Sequence, residues 1–224
     1  ASNEMNGDLN TFSIDFSQIK SNDVEYPTMI YDGPFSESVV NKKIVGLKGE
    51  ELSKEDVEVK VKEIFKDLLK CQYTGDTNGN FDTYNFKVET SDMQSLFVQA
   101  TKIGGHILTV SGQNKSDLKT VDMKNGEKIA LEFAKSNGIE NAEVVWQEEL
   151  NNQAYFNIAP KQGGVILYPD LVKVKVDLEY GNVIGYDAIS YWTNHKTRDL
   201  ASAGEVSVSI PSGFTVKTKR VVLA

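Results

Sequence analysis

The chain has 224 residues, 40% of them apolar and 25% charged, with 32 acidic side chains against 24 basic ones and a net charge of -8. That is enough apolar material for a core and too much for general disorder, in a chain long for one domain of roughly 100–200 residues. The balance also counts against a nucleic-acid partner, because phosphate neutralisation needs clustered cations, and the one dense basic group is Lys217, Lys219 and Arg220.

No run approaches the ~18 apolar residues of a membrane span, and no basic segment followed by an apolar one marks a signal peptide. The single cysteine, Cys71, excludes an internal disulfide, a Cys-based zinc site and a CxxC redox pair. Helical spacing places it at the end of a helix, in a structural role.

Residues 1–46 carry 7 acids against 3 bases and read as a polar arm and linker. Residues 47–117 and 118–200 each carry 12 acids against 9 bases, and that equality points to an internal repeat. In the first block Ser53-Lys-Glu-Asp56 has capping-box spacing, and Val57, Val61, Ile64, Phe65 and Leu68 follow on one helical face. Tyr84, Phe86 and Val88 then alternate as a strand, and a hairpin from Leu96 to Ser111 turns at Gly104-Gly105. In the second block Asp122 caps a helix carrying Ile129, Ala130, Phe133 and Ala134, with Gly138 as its stop. Gly126 inside that helix costs ~1 kcal/mol relative to Ala. Strands follow at Ala154–Ile158, at Val172–Leu178 and, after a turn at Gly181-Asn182, at Val183–Tyr191. The second block alone has an insertion, Gln162–Asp170, and insertions are where equivalent scaffolds diverge in function.

The expected fold class is therefore α+β: tandem units, each an antiparallel sheet of about three strands covered by one helix. The tail, residues 201–224, turns at Pro211-Ser-Gly213 and stops on the apolar Val221-Val-Leu-Ala224. An unpaired strand edge there would be a pairing hazard, so the tail is expected to open a third, partial unit, in keeping with a chain that starts without an initiator Met.

The helix-plus-strands repeat resembles the PepSY domain. The strings Tyr26-Pro-Thr-Met-Ile-Tyr-Asp-Gly-Pro-Phe-Ser36, Asn41-Lys-Lys, Gly163-Gly-Val-Ile-Leu-Tyr-Pro-Asp170 and Asn194-His-Lys-Thr-Arg-Asp199 resemble the YpeB family of spore germination proteins, over roughly residues 20–224. The resemblance implies PepSY-like units at 47–117 and 118–200 and a partial third at 201–224, in a region of a longer protein that carries an N-terminal membrane anchor. It implies a non-enzymatic protein of the spore, at the outer face of the inner spore membrane or in the cortex. The partner it implies is a cortex-lytic enzyme of the SleB type, bound, stabilised or restrained by the PepSY region and released when flexible connections are clipped. Two other readings stand beside this one, a PepSY-type peptidase inhibitor and a module that binds cortex peptidoglycan through exposed aromatics.

The residues expected to contact a partner come from those strings: Tyr26, Pro27, Tyr31, Asp32 and Phe35 in the arm, Tyr168, Pro169 and Asp170 in the insertion, and Asn194, His195 and Arg198 after the second unit. Tyr and Trp anchor interfaces, and aromatics in irregular segments, such as Tyr191 and Trp192, also pack domain junctions. His195 followed by Arg198 suits a carboxylate or a bracketed turn between units. His106 reads as a surface or edge residue beside a tight turn.

Neither a cofactor nor a metal is expected. Asp76-Thr-Asn78-Gly-Asn80-Phe-Asp82 alternates oxygen side chains as a calcium loop does, but its Gly falls at the fourth position and Lys87 stands where a bidentate Glu is required. A polar turn on Asn78-Gly79 is expected instead. No nucleophile stands near a base, and Glu148-Glu149 is a consecutive pair in a polar stretch. The oligomeric state is open.

Overall fold

A computed structural model describes residues 43–65, 67–92, 94–112, 117–200 and 221–223. These all fall within the compact unit Val40–Ala224. Tyr26, Pro27, Tyr31, Asp32 and Phe35 lie outside the described residues, as does most of the tail.

Helix α1 (Lys54–Ile64) starts where the sequence places it, with the Ser53 hydroxyl accepting the Asp56 N–H at 3.2 Å. It buries Val57 and Val61 and ends earlier than expected, with Phe65 already extended. Leu68 and Cys71 are therefore not helical. They belong to β1 (Leu68–Thr77), which pairs antiparallel with β2 (Thr83–Thr90) through Cys71 opposite Val88 and Tyr73 opposite Phe86. Two register shifts in β1 break its alternation and hide it behind the apolar spacing of the helix. Strands β3 (Ser95–Thr101) and β4 (Ile107–Gly112) complete the first half. Their turn uses Gly104 and Gly105, both at positive φ (74° and 67°), a conformation that favours glycine.

The second half repeats the order. Asp122 caps α2 (Met123–Ser136) by accepting the Asn125 N–H at 2.8 Å. Gly126 is where this helix lies closest to the sheet: a Cβ there would stand 3.1 Å from Leu178 Cδ2 and 3.5 Å from the Phe156 ring. The close approach explains a glycine in a helix interior. Next come β5 (Ala142–Leu150), β6 (Gln153–Gln162), β7 (Val165–Leu167), β8 (Val172–Asp177) and β9 (Asn182–Asp187). Glu148 and Glu149 thus lie on a strand, and each helix is followed by four long strands instead of about three. Among the described residues β5 pairs only with β6, and it is exposed from Trp146 onward, so it carries little apolar alternation to read.

The strand expected to return through Tyr191 ends at Asp187, whose carboxylate accepts the Ile189 N–H at 3.0 Å and starts the short helix α3 (Ile189–Asn194). Tyr191 and Trp192 are buried residues of that helix. The tail strand β10 (Val222–Leu223) runs parallel to β7, Val222 opposite Ile166 and Leu223 opposite Leu167, so the insertion pairs with one edge of the tail strand while Val222 stays exposed.

The result is a mixed α+β fold with one large sheet and few helices. Its main order is β1-β2-β3-β4-β9-β8-β6-β5, with β7 and β10 extending from the end of β6. The two halves do not merely pack together: β4 and β9 pair antiparallel, Val110 opposite Tyr186, and make the sheet continuous. Both helices feed one core, where Phe133 makes edge contacts with Phe65 and Tyr186 at 5.7 and 5.0 Å between ring centroids. Asn137 ties α2 to the sheet by accepting the Ile107 N–H at 2.8 Å and donating to the Ile107 carbonyl at 2.7 Å. Polar bonds also cross between the halves, from Gln94 to the fully buried Asp177 and from Asn182 to Asp92, each at 2.9 Å. Among the described residues no helix is long and apolar enough to cross a membrane.

Candidate functional site

The insertion and the segment after α3 meet in a polar clasp. Pro169 sets the 3-10 turn Tyr168–Asp170, which carries Asp170 inward until none of its surface is exposed. A buried carboxylate needs paired charge and hydrogen bonds. Asp170 has both: Arg198 Nη2 donates to Oδ1 at 2.6 Å, and His195 Nδ1 lies 2.9 Å from Oδ2. Backbone contacts close the assembly. Asn194 Nδ2 donates to the Pro169 carbonyl at 3.1 Å. The Gln162 side chain accepts the Arg198 N–H at 2.9 Å and donates to the Arg198 carbonyl, as a paired strand would. His195 stacks on Tyr191 with centroids 4.4 Å apart and rings 14° from parallel.

Five of the expected contact residues, Pro169, Asp170, Asn194, His195 and Arg198, are therefore brought together in one hydrogen-bonded cluster, in which Asp170 is buried, Asn194, His195 and Arg198 are half-buried and Pro169 is exposed. The carboxylate that His195 and Arg198 hold is the chain's own, and it brackets the turn between structural segments. Tyr168 stands on the clamped turn with its ring 44% exposed. Sequence reasoning missed Gln162 as a member of the clasp, although it opens the insertion; nothing in its immediate neighbours announces that its amide will copy a backbone pairing. A cleft of about 320 Å³ adjoins the clasp and shares Gln162 and His195 with it, its other lining including Glu140, Lys161, Tyr191 and Thr197.

His106, expected as a surface or edge residue beside a tight turn, is half-buried and packs against Trp192, with centroids 3.9 Å apart and rings 24° from parallel. Burial, with the charge of Lys60 second, pushes its pKa down to about 4, so the ring is neutral at pH 7. Burial, then the charge of Asp170, pushes the Tyr191 phenol up to about 12. Burial, then Glu58, raises the Cys71 thiol to about 11, which leaves it protonated and a poor nucleophile. The calcium-like loop is a β1–β2 turn whose Asp76 is engaged by Lys102 at 2.8 Å and by the Tyr73 hydroxyl. Among the described residues no group of three or more His, Cys, Asp or Glu side chains is placed to hold a metal ion.

Comparison with known proteins gives a consistent result. The family described as YpeB sporulation, PepSY1 and PepSY2 domains matches residues 12–201. A sporulation protein YpeB of Bacillus subtilis is 26% identical over 209 residues, 89% of this chain and 46% of that protein. Its counterpart in Halalkalibacterium halodurans is 28% identical over 126 residues, 56% of this chain and 28% of that protein. The chain thus spans less than half the length of these relatives. Among solved structures, the Bacillus megaterium YpeB C-terminal domain has a TM-score of 0.62 and 23% identity, over 68% of this chain and 70% of that one, and it shares the fold.

Proposed function

The chain belongs to the YpeB sporulation family, and on that premise we propose that it acts without catalysis, by holding a spore cortex-lytic hydrolase of the SleB type. The contact positions or occludes the enzyme, at the outer face of the inner spore membrane or in the cortex. The observation that carries this reading is Tyr168. An interface anchor is most effective as an aromatic whose backbone is already ordered, since less conformational entropy is lost on binding. Tyr168 is an exposed aromatic two residues from a fully buried, doubly held Asp170. The clasp keeps the turn rigid, and the turn presents the ring.

The same reading divides the chain into two PepSY-like units, α1 with β1–β4 and α2 with β5–β9. The strand order supports it: β4-β3-β2-β1 on one side of the β4–β9 pair is matched by β9-β8-β6-β5 on the other. The test is a calorimetric titration of this chain against the separate binding and catalytic domains of the hydrolase. Saturable binding that Tyr168→Ala weakens by about thirtyfold, the ~2 kcal/mol of an interface hot spot, is the expected result. Absence of binding to both domains at high micromolar concentration refutes direct contact through this region.

A further inference from the structure

The helices cover one face of the sheet, and no described helix covers the other. Strand register places side chains on that open face in rows that run across the strands. One row reads Trp146, Asn157, Lys173, Asp187, Thr109 and Gln99, each directly opposite the next. The row beside it reads Tyr155, Lys175, Gly185, Ser111 and Phe97. The two halves of the sheet use these rows differently. In the first half the polar groups satisfy one another: Thr109 donates to Gln99 at 2.9 Å, Gln99 to Asn85 at 3.3 Å and Asn85 to Thr77 at 2.9 Å. In the second half the side chains of Asn157 and Lys173 have no hydrogen bond or ion pair among the described residues, and Trp146 beside them is 45% exposed. A trough of about 390 Å³ lies there, lined by Trp146, Tyr155, Asn157, Lys173, Lys175 and Asp187 and by Gly185, which adds no side chain to fill it.

We propose that this trough binds a linear, extended glycan, laid across β5, β6, β8 and β9 with a sugar ring on Trp146. Three features favour a sugar. The lining mixes donors and acceptors, from the Asn157 amide, the Lys173 ammonium and the Asp187 carboxylate, and hydroxyl groups match such a set because each both donates and accepts. Its charges are nearly balanced, with Lys175 over the Tyr155 ring at 5.5 Å, so it is not built as a polyanion site. Neighbouring strands lie ~4.8 Å apart, so the row repeats at about the length of one pyranose ring, and the three spacings from Trp146 to Asp187 accommodate about three sugars. An extended peptide would instead pair its backbone along a sheet edge. The site is separate from the Tyr168 turn and does not depend on the hydrolase reading.

The experiment titrates the chain with two soluble probes, a β-linked N-acetylglucosamine tetramer and cellotetraose, followed by amide NMR and tryptophan fluorescence. The chain has two tryptophans, and Trp192 is buried at 5% exposure, so the surface signal belongs to Trp146. The expected result is saturable binding of at least one probe, with shifts concentrated on β5, β6, β8 and β9. Affinity should fall at least about tenfold in Trp146→Ala and less in Lys173→Ala, while Val59→Ala on the helix side leaves it unchanged. Both loss variants alter exposed side chains, and circular dichroism checks that they fold. If neither tetramer at millimolar concentration moves trough resonances, or if the shifts lie only on the helix side or along the β1 edge, the proposal is overturned.

Discussion

The clasp is the feature on which the most can be staked, and Asp170→Asn perturbs it with almost no change of shape. The substitution removes one negative charge from a site with 0% exposure, leaves the Arg198 guanidinium without its counter-charge and sets an amide in place of the carboxylate beside the His195 ring. Breaking a buried pair from one side costs ~3–5 kcal/mol. Arg198 keeps 18% of its side chain exposed and His195 keeps 32%, so water can reach both, and the low end applies: about 3 kcal/mol. For a domain of this size ~1 kcal/mol corresponds to roughly 2–4 °C in Tm, so Tm should fall by about 6–12 °C. The assay is urea unfolding of the parent, Asp170→Asn, Arg198→Met and the double variant, read as changes in midpoint at constant slope. Arg198→Met should cost at least as much as Asp170→Asn, because it leaves the fully buried carboxylate with His195 alone. The double variant should cost less than the sum of the singles by at least about 1.5 kcal/mol, as expected for residues in one network. A loss under about 0.5 kcal/mol for Asp170→Asn, or strict additivity, would refute the reasoning and reduce the clasp to a surface contact.

Gly46→Ala should destabilise the chain by about 2 kcal/mol or more by overpacking, measured by thermal unfolding, because a Cβ at Gly46 would lie 2.6 Å from the backbone oxygens of Tyr191 and Trp192. His106 supplies a pH dependence. Its folded pKa of about 4 lies below the ordinary 6.5, so the unfolded chain binds the extra proton first; stability is full above pH 6.5 and falls as pH drops from there towards 4. His106→Gln should flatten that part of the stability profile, and an NMR titration in which the folded-state ring gains its proton near pH 6.5 would contradict it. Cys71, with its thiol raised to about 11, should react with a maleimide at pH 8 far more slowly in the folded chain than after denaturation.

What the sequence makes legible follows from whether a signal is local. The capped starts of α1 and α2, the Gly104-Gly105 turn and the Val172–Val176 alternation depend on neighbours a few positions apart, and all are present. β1 and β5 escaped detection for a shared physical reason. Both are edge strands, more exposed than the inner ones and broken by register shifts, and a strand that buries little need not alternate. The return through Tyr191 failed differently: its apolar residues are buried as expected, but on a helical turn that Asp187 starts with a single side-chain bond. The clasp was half visible. His195 and Arg198 announce that a carboxylate is needed without saying which of 32 acids supplies it, and Asp170, 25 positions from His195, is selected only because the insertion folds back beside α3. The same long-range step separates Tyr168 from its neighbours: within one short string, Asp170 is consumed by the fold and Tyr168 is left at the surface. Similarity to a family string therefore cannot by itself distinguish a contact residue from the residue that holds it in place. Substituting Tyr168 and Asp170 separately, and reading partner affinity and stability for each, makes that distinction.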